Sequence, residues 1–125
     1  MTTLVISTPW GKKDSTTGLS IGKPGQSHSW ETFFTTGKGL GYILYPSEYS
    51  KLQQDLITSS VKVVMLRQDR KKRRAEARLI NIVRTPHLAK NGQWRYDIHF
   101  EDQREIKPYI YLPKEKLKRN GVKVI

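Results

Sequence analysis

Arg67, Arg70, Lys71, Lys72, Arg73 and Arg74 place six cations within eight residues, and Arg78, Arg84, Lys90 and Arg95 follow close behind. Guanidinium and ammonium groups at this density bind polyanions, because they match phosphate oxygens with point charges and planar donor forks. If about five of them neutralise phosphates, log affinity falls with log salt at a slope near −4.5. A fourfold rise in salt then costs roughly 500-fold in affinity. Contacts of this kind hold a nucleic-acid backbone without reading its sequence.

The whole chain is basic, with 23 Lys and Arg against 11 Asp and Glu and a net charge of +12 over 125 residues. The excess is local. Residues 61–95 carry eleven basic side chains and only Asp69 and Glu76 as acids, net +9. Self-repulsion of that size implies a polyanionic partner, with nucleic acid first among the candidates. The absence of cysteine excludes disulfides, thiolate zinc sites and cysteine nucleophiles. It suits a reducing cytoplasm, or a nucleus if the source is eukaryotic. No signal peptide and no stretch long enough to span a membrane is visible, so no membrane partner is expected.

Aromatic side chains supply the second chemistry, stacking on unpaired bases. Trp10 and Trp30 flank a loop-rich stretch, and Tyr42 and Tyr45 follow a run of glycines. These four are the candidate stacking residues. Lys38-Gly39-Leu40-Gly41-Tyr42-Ile43-Leu44-Tyr45 resembles the RNP1 octamer of the RNA-recognition-motif family, with Leu40 where that family has a stacking aromatic. The resemblance covers this segment alone and implies that Tyr42 and Tyr45 face RNA from a sheet surface. Together with the other aromatics it favours RNA or single strands over duplex DNA.

Catalysis has little support in the sequence. His28, His87 and His99 are scattered, without the spacing that holds a metal, and neither metal nor cofactor is expected. A metal-independent ribonuclease is the enzymatic alternative, from Arg95, Tyr96, Asp97 and His99. On a strand, however, Tyr96 points away from the other three. A third reading is an adaptor whose basic hairpin docks an acidic protein surface. The reading adopted is a non-catalytic nucleic-acid-binding domain, working alone or with other protein subunits of a nucleoprotein complex.

These side chains need a scaffold, and the pattern predicts a mainly β, α+β domain. It is a small twisted antiparallel sheet or open β-barrel of about six or seven short strands with one main helix near 47–57. The chain reads as a single domain with a mobile Gly/Ser/Thr/Lys-rich segment at about 11–41. Leu4–Ile6, Tyr42–Tyr45, Val61–Leu66, Leu79–Val83, Tyr109–Leu112 and Val122–Ile125 read as strands. Ser47 reads as a helix N-cap, with Tyr49, Leu52 and Leu56 on one face. Asn91-Gly92 signals a tight hairpin turn before an alternating strand in which Trp94, Tyr96, Ile98 and Phe100 share a face. Pro86 marks an edge or irregular position. Residues 68–78 suit either a hairpin tip or a basic helix, and the hairpin, with 68–73 as its charged tip, is favoured. Pro113–Arg119 suits one or two helical turns.

Overall fold

A computed structural model describes residues 2–7, 33–34, 36–67, 72–89, 92–117 and 121–125. The described elements are β1 (Thr3–Ser7), β2 (Lys38–Ile43), helix α1 (Pro46–Thr58), β3 (Lys62–Arg67), β4 (Arg73–Leu88), β5 (Trp94–Ile106), a 3-10 turn (Pro113–Glu115) and β6 (Val122–Val124). The fold is mainly β, a single curled half-barrel sheet backed by one main helix. Its strand order is β2-β5-β4-β3-β1-β6. All neighbours are antiparallel except β1 and β3, which run parallel with Val5 opposite Val64.

Residues 62–88 form the expected hairpin rather than a basic helix. β3 and β4 pair from Lys62↔Arg78 to Arg67↔Arg73. Val63–Leu66 is buried on both faces, as a continuous apolar run requires. One face carries the main core, in which Leu4, Ile6, Met65, Leu79, Ile98 and Phe100 meet Leu52 of α1. Tyr49 and Leu56 pack beside Leu52, so the apolar stripe of the helix is the one its spacing predicts. The other face carries a smaller core of Val5, Val64 and Leu66, covered by Tyr109, Leu117 and Ile125.

Several local expectations are corrected. α1 starts two residues early, with Tyr45 as N-cap, Pro46 in the first turn and the Glu48 carboxylate accepting from the Tyr45 N–H at 2.9 Å. Proline suits that first position because its missing N–H has no helical partner there. β4 and β5 are long, at 16 and 13 residues, and β4 bends through register shifts near Arg78, Asn81 and Pro86. Pro86 lies beyond the stretch paired with β3, where β4 has a neighbour on one side only, so its missing donor is harmless.

Tyr109–Leu112 is not a strand. β6 occupies the outer edge of β1, and residues 107–117 instead cross the second sheet face as a strap. The segment predicted to be mobile falls mostly outside the described residues. Its end does not, because Lys38–Gly41 belongs to β2.

Candidate nucleic-acid interface

The β3–β4 hairpin sets Arg67 directly opposite Arg73, with Lys72 exposed beside them. Like charges in direct opposition weaken a sheet. Part of that cost is relieved within the chain. Arg73 makes a two-pronged bond to Glu105, Nη2 to Oε1 at 2.6 Å and Nε to Oε2 at 2.9 Å. Those bonds hold the Glu105 carboxyl below the usual carboxylate range. Arg70 and Lys71, in the connection itself, lie outside the described residues, as do Lys90, Trp10 and Trp30.

Arg74 is placed very differently from a surface cation. Only 3% of it is exposed, and it lies against Glu115, with Nη2 to Oε2 at 3.0 Å, and against Glu76 at 3.1 Å. The hydrogen bonds that Arg74 donates to Glu115 raise its pKa above the ordinary value. Burial pushes Glu76 up, but bonds and charges from Lys62 and Arg74 more than reverse that and leave it low. A buried ion pair of this kind is useful to the fold only if both members stay. Arg74 therefore pins the strap to the sheet and is not available to a phosphate.

The remaining predicted cations are spread along the sheet. Arg78 is exposed and pairs with Glu101, with Asp102 at 3.7 Å. Beside it a cleft of about 310 Å³ is lined by Lys62, Arg78 and Arg104 on the basic side and Glu76 and Asp102 on the acidic side, so its charges largely cancel. Arg84 stacks over Trp94, its guanidinium carbon 4.5 Å from the ring centroid. Trp94 shares the side of Tyr96 and Ile98 but remains 37% exposed, a departure from the expected core position. Arg95 was expected on a solvated face and is buried. It donates from Nη1 to the Gly41 carbonyl at 2.8 Å, while the Gly41 N–H donates to Asp97 at 3.1 Å. Together these side chains replace ladder bonds where β2 bulges between Gly39 and Tyr42.

That bulge explains the glycines of the octamer. Gly41 has a φ of +78°, and a Cβ on Gly39 would meet the Tyr42 ring at 2.8 Å. Tyr42 is 4% exposed, its hydroxyl donates to the Ser7 carbonyl at 2.8 Å, and burial pushes its phenol pKa up. Its ring is core, not a stacking surface. Tyr45 sits at the helix N-terminus, about one third exposed. No family model, curated protein or solved structure matches the chain.

Three further cations lie on the strap, outside the sequence cluster. Lys107, Lys114 and Lys116 are exposed and make no ion pair among the described residues, and Tyr111 between them is 48% exposed. The acids interleaved with these lysines, Glu105 and Glu115, hide them from any local charge count.

Proposed function

We propose that this chain is a non-catalytic nucleic-acid-binding domain that grips the phosphate backbone at the β3–β4 end of the sheet. It acts in the cytoplasm, within a nucleoprotein complex, on RNA or other single strands. The observation that carries this reading is the gathering of cations at the β3–β4 end of the sheet, where Lys72 is exposed and Arg67, Arg70 and Lys71 are its near neighbours in the chain. Basic side chains gathered at one end of a hairpin raise the local positive potential, which attracts a polyanion. The ribonuclease reading gains no comparable support. Tyr96 is on the buried face, and Arg95 and Asp97 are both bonded to the Gly41 backbone.

The test is a fluorescence-anisotropy titration of labelled single- and double-stranded RNA and DNA across a salt series. The intact protein is compared with a variant in which Arg67, Arg70, Lys71 and Lys72 are alanine. With four phosphate contacts to a single strand lost, the salt slope is expected to shrink by about three. Failure of the folded protein to bind any of the four substrates at low salt would overturn the proposal.

A further inference from the structure

We propose that the strap is the second half of the same interface. Lys107, Lys114 and Lys116 contact the phosphates of a single strand, and Tyr111 stacks on one of its bases. This inference rests on the nucleic-acid reading above.

Strand register brings the two basic segments to one end of the sheet. Arg67 ends β3 and Arg73 begins β4 opposite it. Ile106, the last residue of β5, pairs with Arg74, so Lys107 leaves the sheet one residue beyond that pair, at the end where β4 begins. The strap then crosses the face of Val5, Val64 and Leu66, where Tyr109 and Leu117 pack. Glu115 bonds Arg74 at 3.0 Å, which fixes Lys114 and Lys116 on either side of that buried pair. Lys107, Lys114 and Lys116 therefore flank the Arg67–Arg73 end, although they stand 34 or more residues from Arg73 in the chain.

The carboxylates decide which cations stay open. Glu105 turns to Arg73 and Glu115 turns inward to Arg74. Each spends its hydrogen bonds on an arginine, and the neighbouring lysines make no ion pair among the described residues. Tyr109 spends its ring on the small core, whereas Tyr111 is left 48% exposed between the lysines. Lysines interleaved with an open aromatic are what a single strand needs, since duplex bases are already stacked on each other.

Two variants separate the parts, both confined to exposed side chains: Lys107, Lys114 and Lys116 all changed to alanine, and Tyr111→Ala alone. On single-stranded RNA the triple variant is expected to make the salt slope shallower by about two. Tyr111→Ala should weaken binding about 5- to 150-fold with the slope unchanged, because it removes stacking and no charge. Full affinity and full slope in both variants, while the Arg67–Lys72 variant loses slope, would overturn the strap and leave the hairpin site standing. Binding of duplex alone, or of phosphatidylserine vesicles in preference to oligonucleotide, would overturn the single-strand assignment. If the intact protein binds no nucleic acid at low salt, this inference falls with the reading beneath it.

Discussion

Arg73, Arg74 and Arg78 on β4 each end against a carboxylate, whereas Lys107, Lys114 and Lys116 on the strap end in solvent. The two sets carry equal charge and differ in what surrounds them. A guanidinium is planar, weakly hydrated and able to take a carboxylate with two parallel bonds, so it tolerates burial in a pair. An ammonium is strongly hydrated and stays outside. The partners of the three arginines, Glu105, Glu115 and Glu101, all come from the C-terminal third of the chain. Pairing therefore moves open positive charge from β4 to the strap. A cluster of charge along a chain and a patch of charge on a surface are separate things, and the acids decide how far they coincide.

The sharpest way to break this contrast is to remove the acid that buries Arg74. Glu115→Gln is expected to destabilise the fold by about 3 kcal/mol, since one partner is withdrawn from a buried pair and a desolvated charge remains. Glu76 still faces Arg74, which keeps the loss toward the lower end of that range. Urea unfolding of the variant measures it as a drop in midpoint at constant slope. The double change Arg74→Met with Glu115→Leu should recover most of the loss, because both members of the buried pair go and Glu76 keeps Lys62 as its partner. A loss from Glu115→Gln no larger than a surface pair gives would mean that Arg74 is solvated like the strap lysines, and the distinction would dissolve.

Acid should act on the paired set and on Asp55 of α1, which a hydrogen bond donated by Thr2 also holds low. Glu76 and Glu105 are held below their ordinary value of 4.5 in the folded protein. The unfolded chain therefore binds protons first as pH falls, and folding loses the contribution of these groups. That contribution is complete above the ordinary carboxylate range and disappears as pH drops through it toward the lowered folded values. The thermal midpoint is expected to fall below about pH 4.5, with a shallower fall in Glu76→Gln. A midpoint independent of pH down to 3, measured by circular dichroism, would show that Glu76 and Glu105 do not hold the fold.

What the sequence discloses here follows from how near the partners are in the chain. The hairpin at 62–88 and the face of α1 formed by Tyr49, Leu52 and Leu56 are local patterns, and both are legible. The fates of Arg73 and Arg74 depend on residues 32 and 41 positions away, beyond any window of local charge. The Tyr109–Leu112 run has strand composition, but β6 occupies the edge of β1 and the run packs across the second sheet face instead. At Lys38–Tyr45, a bulge and a close ring approach produce the glycine spacing that resembles an RNA-binding octamer, and they bury Tyr42 in the process. Arg95 reads as solvated from alternation alone. Only the irregularity of the neighbouring strand creates the carbonyl it is buried to reach.

The smallest effect is expected at the far end of β4. Arg84 meets no carboxylate among the described residues and rests on Trp94, so it belongs to neither set. Eleven residues of strand separate it from Arg73, roughly 35 Å at an extended rise. That is several times the screening length at physiological salt. Arg84→Ala should therefore cost only about 0.5 to 1 kcal/mol of stability, the worth of an exposed cation–aromatic contact. A shift in tryptophan fluorescence should accompany it as the Trp94 ring is uncovered. The salt slope for RNA should remain that of the intact protein. A slope shallower by about one unit would instead put a phosphate on Arg84. The interface would then run the length of the sheet, and the contrast to be explained would lie between its two faces, not between paired and open cations.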